Sequence, residues 1–408
     1  MRLLADGWTR VRVAVLSVSL VCLVGCPESP GPLKTTWSRL YGTEQDTQEA
    51  FEVVEVPTGG FLAEVRVTES YNGRWLLRVD GSGNEVWSRQ YLSGSFMAGI
   101  KIGVFSDGQS LVAMYQLRGG STGDTLVTFE LLDADGQLLW EEEDAEAFSL
   151  SLIGDSVPIC TSSDDGCMYV TAAGSLVKRN RNWDAIWTQS IDSILQTSAP
   201  EGFERRGVAC LGLGWDDACY FAVLGRSSQK TCKTALYDVV IIRADSFGNT
   251  GTEAVYACEG KTRGPSMSSQ FKITRTGEYM VTAFADLYGS GLVGESVALL
   301  NSAMNVKWVF HCPDDTQIVS AAKIPGGGFM LAGKRETMSG DKAVLIRLDA
   351  NGQQQWIRDY CIDTESAFND IEATTDGGLI VAGHNDKEQG EWDIWSAWLL
   401  KVNAEGEY

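Results

Sequence analysis

One pattern recurs along this chain, and its recurrence constrains the fold more than any single residue does. Gly326-Gly327-Gly328-Phe329-Met330-Leu331-Ala332-Gly333 is followed by Val344-Leu345-Ile346-Arg347-Leu348-Asp349-Ala350-Asn351-Gly352 and then Trp356. The same order returns as Asp376-Gly377-Gly378-Leu379-Ile380-Val381-Ala382-Gly383 with Trp398-Leu399-Leu400-Lys401-Val402-Asn403, and as Thr58-Gly59-Gly60-Phe61-Leu62-Ala63 with Trp75-Leu76-Leu77-Arg78-Val79-Asp80 and Trp87. The closing Trp falls at 87, 140, 187, 308 and 356, with Val255 in its place in the fourth unit. A turn marker recurs at Gly60, Gly108, Gly166, Asp217, Gly277, Gly328 and Gly378. The spacing of roughly 50–60 residues gives each of seven units room for four short strands. Alternation in Phe51-Glu52-Val53-Val54-Glu55-Val56 and turns such as Asp133-Ala134-Asp135-Gly136 predict strands joined by hairpins. No helix-period segment interrupts them. An all-β chain of seven such units is expected to close into a seven-bladed β-propeller over residues 37–408.

The two ends of the repeat predict how the ring closes. The last unit stops at Gly406-Glu407-Tyr408, two residues short of its Trp, while Trp37-Ser38-Arg39-Leu40-Tyr41 supplies a fourth strand with no unit of its own. Pairing that N-terminal strand into the last blade leaves no open sheet edge. An open solenoid would instead need two terminal caps, and no such segment is evident.

The repeat resembles the quinoprotein-like and WD40-like β-propellers of exported bacterial lipoproteins. Its most specific part is Asp-x-x-Gly-x-x-x-Trp, present as Asp80/Gly83/Trp87, Asp133/Gly136/Trp140 and Asp349/Gly352/Trp356. Quinoprotein blades carry an Ala before the Asp and a Lys after the Gly; neither is present in these three copies. The resemblance therefore does not support a pyrroloquinoline quinone cofactor, and leaves the Trp as a packing residue between blades.

Residues 1–25 read as a targeting segment and are set aside from the fold. Arg2, Arg10 and Arg12 precede the apolar run Val13–Val24, which is shorter than the about 20 residues that span a bilayer. The run ends in Leu23-Val24-Gly25-Cys26, which resembles a bacterial lipobox. That likeness implies a lipidated, palmitate-bearing Cys26 in a bacterial cell envelope. Pro rather than Asp at position 27 favours the outer membrane in a Gram-negative host. Residues 26–36, with Pro27-Glu28-Ser29-Pro30-Gly31-Pro32, form the tether.

Charge and cysteine content narrow the partners. Removal of residues 1–25 leaves 30 basic and 53 acidic residues, a net charge of −23, which disfavours nucleic acids and anionic lipid surfaces. Two histidines, His311 and His384, exclude a three-His metal site. Asp-Ala-Asp-Gly and Asp-Ala-Asn-Gly superficially match calcium loops but lack the later ligands, so they read as turns and calcium is not supported. Eight cysteines remain between 160 and 361, an even number that favours disulfides in an exported chain. Of 105 arrangements, position along the repeat suggests Cys160–Cys167, Cys210–Cys219, Cys232–Cys258 and Cys312–Cys361.

In a propeller, the turns from first to second and third to fourth strand share one face, and these are short. The connections from second to third strand and between blades share the other. Val67–Gly73, Leu117–Asp124, Arg226–Tyr237, Asp286–Glu295, Lys334–Lys342 and His384–Glu391 insert there, together with Ser190–Gly207 and Ala257–Ser269. Binding concentrates in such loops. Candidate ligand residues are the basic group Arg205, Arg206, Lys230 and Lys233, suited to a carboxylate, phosphate or acidic glycan or else a charge-balanced surface. Trp392 and Trp395 suit sugar stacking, with Trp398 as core. His384, beside Asp386, is either a general base or a solvated loop side chain. No nucleophile elbow or phosphate loop occurs, so no catalytic residue is assigned. The expectation is a monomeric, non-enzymatic, lipid-anchored scaffold for a protein or glycan. The alternatives are a glycan hydrolase, lyase or quinoprotein using channel carboxylates, and an envelope-assembly component.

Overall fold

The structure is a computed structural model that describes residues 36–42, 46–68, 73–91, 96–117, 125–144, 159–171, 173–196, 199–214, 216–227, 237–257, 263–265, 270–274, 277–282, 284–286, 296–362, 365–389 and 392–408. Cys26, the signal segment and Lys230, Lys233, Cys232 and Cys258 lie outside the described residues. Six antiparallel four-stranded sheets follow in chain order at residues 47–91, 96–144, 159–190, 203–256, 271–311 and 316–360. The seventh combines residues 366–402 with the N-terminal strand Trp37–Tyr41, paired antiparallel as Trp37↔Lys401 through Tyr41↔Ala397. The expected closing strand is thus in place. Local additions are a one-turn helix, Ile191–Leu195, in the stretch between blades three and four, and a two-stranded ribbon that pairs Arg263–Pro265, between blades four and five, with Phe284–Asp286, in the second-to-third-strand connection of blade five.

Period-two alternation turns each sheet into a two-sided wedge. In blade four, Tyr220, Ala222 and Leu224 face blade five, while Cys219, Phe221 and Val223 face blade three. Each of the seven buried apolar clusters joins one pair of neighbouring blades, blade seven to blade one included. Seven interfaces for seven sheets is the arrangement of a closed ring: the chain is a seven-bladed β-propeller.

The Trp marker locks each blade onto the next. The indole N–H of Trp37 donates to Gly81 O (2.9 Å), Trp87 to Ala134 O (2.9 Å), Trp140 to Arg181 O (2.8 Å), Trp187 to Ser246 O (3.4 Å) and Trp308 to Ala350 O (3.2 Å). Every acceptor lies in the third-to-fourth-strand turn of the following blade. In four of these five turns a glycine takes positive φ and lies against the ring: a Cβ on Gly136 would come within 2.6 Å of Trp87, and one on Gly352 within 2.6 Å of Trp308. In blade three Trp183 holds that position, with its ring 5.0 Å from that of Trp140. This explains why Asp-x-x-Gly and Trp recur together. The Asp shapes the turn: Asp80 Oδ1 accepts from the backbone N–H of Ser82 (2.8 Å) and Asn84 (2.9 Å). The expectation that Val255 stands in for the Trp of blade four is corrected: Thr252 holds that position, seven residues after Asp245, and Val255 packs toward blade three. Opposite Thr252, Met304 takes the glycine position of the blade-five turn with positive φ and is buried with Ala254 and Tyr256. Trp398, as expected, is fully buried, and its indole donates to Ser38 Oγ (2.8 Å) of the closing strand.

The cysteine pairing expected from position is corrected. Cys160 is bonded to Cys219, joining blades three and four. Register explains it: Thr161, not Cys160, lies opposite Cys167, so alternation sends Cys160 toward blade four and Cys167 toward blade two. Leu213, not Cys210, lies opposite Cys219. Cys167 remains a buried thiol whose pKa burial raises to about 12. Cys312 packs between blades five and six, Cys361 lies beside Lys342 Nζ (3.3 Å), and no disulfide joins them.

Candidate functional site

The geometry of the innermost strands decides which side chains reach the channel. In blades one, two, six and seven, the register steps over one residue, between Ala50 and Glu52, Met97 and Gly99, Ile318 and Ser320, and Phe368 and Asp370. Blade four steps likewise between Arg205 and Gly207. Such bulges bend the strand and re-aim the side chains beside them. Here they separate a polar group near the loop-bearing face from a second group deeper in the channel.

The first group occupies the seam between blades seven and one. Glu49 accepts a hydrogen bond from the bulge residue Asn369 (Nδ2, 3.2 Å), which also donates to Ala50 O (3.0 Å). His384 Nδ1 lies 3.0 Å from the same Glu49 oxygen. Burial opposes ionisation of Glu49, but His384, Asn369 and Arg66 outweigh it and hold the carboxyl below its ordinary range. The His384 ring stacks on Trp395 with centroids 4.4 Å apart and planes at 13°. His384 pairs with Ala397 and Trp395 with Asp386, so the two rings are diagonal cross-strand neighbours on the blade-one side of the sheet. The buried indole nitrogens of Trp395 and of Trp75, which packs into the same blade-seven-to-one core, have no acceptor among the described residues. His384 therefore departs from the solvated alternative: the last insertion continues as strand, Leu379–Gln389, and buries it.

The second group lies one layer deeper. Glu52, Ser320 and Asp370 immediately follow the bulge residue in blades one, six and seven, and Lys101 comes three positions after it in blade two. Glu52 pairs with Lys101. Asp370 accepts from Ser320 Oγ (2.8 Å), Val53 N (3.3 Å) and Lys272 Nζ (3.1 Å), and Lys272 also reaches Glu372 (3.5 Å). Lys272 thus crosses from blade five to blade seven. Burial raises the pKa of Glu52 despite Lys101, and that of Glu372 despite Lys272, with Asp370 adding repulsion. Asp370 goes the other way, because Lys272 and the Ser320 hydrogen bond outweigh its burial. Water still reaches this level, since 41% of the Glu372 side chain is exposed. Nearby, Glu64 is bound by Arg74 (3.3 Å) and Ile100 N (3.3 Å), and burial raises its pKa to about 7.

Of the other predicted residues, Arg205 and Arg206 lie in blade four, away from this seam. Arg205 pairs with Asp192 (3.5 Å) and Arg206 with Glu204 (2.7 Å), so each described member of the basic group has a local acidic partner. Trp392 lies in a strand opposite Gln389. No cluster of metal-ligating side chains occurs among the described residues. Sequence reasoning missed Glu49, Glu52, Lys101, Lys272, Asn369, Asp370 and Glu372. Their signal was the presence of charge in innermost strands, which the bulges offset from simple alternation.

No protein-family model and no curated protein matches the chain. Solved structures do. A protein of unknown function from Dyadobacter fermentans is 11% identical with a TM-score of 0.49, the match covering 92% of this chain and 100% of that one. The Dos1 propeller is 9% identical with a TM-score of 0.49, covering 90% and 95%. BamB from Moraxella catarrhalis is 11% identical with a TM-score of 0.43, covering 92% and 98%. At such identity none of them lends a residue or a role to this chain.

Proposed function

We propose that the chain is an exported propeller, anchored to a bacterial envelope membrane through lipid on Cys26, that binds a protein or glycan partner on its loop-bearing face. The observation that carries this reading is the blade-seven-to-one seam on that face. There a His384–Trp395 stack lies beside the Glu49 carboxylate, and the buried indole N–H groups of Trp395 and Trp75 have no acceptor among the described residues. A partner that opens the seam far enough to place an oxygen, such as a sugar hydroxyl or a peptide carbonyl, against these donors relieves the cost of burying them without one, while the aromatic rings supply apolar contact. The test is direct binding of purified domain to cell-wall glycans and to proteins captured from envelope extracts, comparing wild type with Trp395→Ala and His384→Ala. Loss of affinity in both variants with fold retained supports the seam. Unchanged affinity in both removes it.

A second reading, a glycan-cleaving enzyme, draws on one observation. Asp370 and Glu372 face the same lysine while their pKa values move in opposite directions, the separation that acid and base roles require. Turnover of a glycan panel that disappears in Asp370→Asn and Glu372→Gln would favour it over the scaffold.

A further inference from the structure

The closing strand enters the blade from a defined side. Trp37 lies opposite Lys401, next to the turn that follows Val402, and the strand then runs toward Tyr41, opposite Ala397. Chain preceding Trp37 therefore leaves the propeller at the face of short turns, not at the loop-bearing face. Only ten residues separate Cys26 from Trp37, a contour of at most about 36 Å. A nine-residue strand such as Thr47–Glu55 is about 30 Å long. Climbing from the short-turn face to the loop-bearing face consumes nearly all of the tether.

A second, independent observation marks the same face. Large hydrophobic side chains are exposed in the short turns and at the strand ends beside them. They include Val86, Leu138, Ile186 and Val306, each just after a third-to-fourth-strand turn, Phe247 within one, and Tyr408 after the last. Met338 and Ile362 lie toward the opposite face. The apolar residues are interleaved with turn carboxylates such as Asp80, Asp133, Asp245 and Asp349. The hydrogen bonds that Asn84 and Ser82 give Asp80 lower its pKa despite slight burial, and Asp245 is lowered likewise by Asn249 and Phe247 against its own desolvation. Such a surface suits the headgroup zone of a zwitterionic bilayer, where apolar side chains insert, and is repelled by an anionic one.

We propose that the short-turn face is the membrane-facing surface of the anchored protein, with this apolar rim resting on zwitterionic lipid and the loop-bearing face directed away. The proposal rests on the lipid-anchor reading and adds the orientation. It is tested with full-chain protein purified with its native lipid and reconstituted in phosphatidylcholine vesicles. A parallel form carries a hexahistidine tag at position 26 on nickel-chelating lipid. Fluorescent donors are placed singly at Phe247 (87% exposed) and Met338 (109% exposed), with acceptor lipids in the bilayer.

The donor at 247 is expected to sit about 30 Å nearer the acceptor plane than the donor at 338, from the strand length. Ile186→Ser with Val86→Ser should reduce that difference, as should phosphatidylglycerol. Equal transfer from both positions, or greater transfer from 338, overturns the orientation. Native protein that stays off vesicles while Cys26 is intact overturns the anchor instead, and the nickel-tethered form still reports the orientation.

Discussion

Replacing Trp37 with alanine probes the closure where it is carried by one side chain. The ring packs against Phe61 with centroids 6.0 Å apart and lies on Gly83, and its N–H donates to Gly81 O at 2.9 Å. Removing a buried Trp side chain costs about 3–5 kcal/mol, of which the hydrogen bond accounts for roughly 0.5–1.5 kcal/mol. A domain's stability is about 5–15 kcal/mol, so this one contact is a large share of it. Urea unfolding followed by circular dichroism, with the disulfide intact, should show a lower midpoint at similar slope. A chain beginning at residue 42 should do worse: it bares the edge of strand Trp392–Val402, and exposed edges pair with other copies, so self-association should appear in size-exclusion chromatography. A Trp37→Ala loss below about 1 kcal/mol, far short of a core deletion, together with a monomeric 42–408 chain, would refute closure by this strand.

Three further outcomes follow from the same contacts. Thr252→Trp alone should overpack by about 1–3 kcal/mol and Met304→Gly alone should leave a void, whereas the double variant, which restores the Trp–Gly pair of the other blades, should recover stability beyond additivity; additive losses would show that the two positions do not share one site. Glu64, raised to about 7, binds a proton more tightly folded than unfolded, so its contribution is present at about pH 4–5 and lost as pH rises through 7; Glu64→Gln should flatten that part of the stability profile, and an unchanged profile would place the titration elsewhere. The Cys160–Cys219 bridge spans a separation of 59 residues, worth about 4 kcal/mol in the chain-entropy view. Cys219→Ser should therefore lower the unfolding midpoint under oxidising conditions and remove its sensitivity to reductant, and a reductant response that persists would contradict the assignment.

The ring was legible because its signals are periodic. Asp-x-x-Gly-x-x-x-Trp repeats at a spacing that only stacked four-stranded units satisfy, and Trp37 completes a count that is otherwise one strand short. The same residues did not reveal that Trp and glycine interlock across blades, because each pair is formed between successive copies rather than within one. The disulfide was missed for a different reason. Nearness along a hairpin suggested Cys160–Cys167, but the side-chain period of two sends neighbours across a turn to opposite faces when their positions differ by one register step. The seam and channel groups were obscured by the bulges: Asn369 occupies an extra position that alternation does not count, and it is this residue that reaches Glu49. His384 was visible as a lone histidine on a polar stretch, and only the extended strand pairing reveals that Trp395 covers it.

Site-specific photo-crosslinking in the native envelope tests the central claim most directly, with a photoreactive residue placed singly at Met338, Ile362, Ile186 or Phe247. All four side chains are exposed, so the substitutions should leave the fold intact. Positions 338 and 362 are predicted to yield discrete protein or glycan adducts that disappear with Trp395→Ala, while 186 and 247 yield lipid adducts alone. Discrete macromolecular adducts from 186 and 247, with none from 338 and 362, would contradict the account.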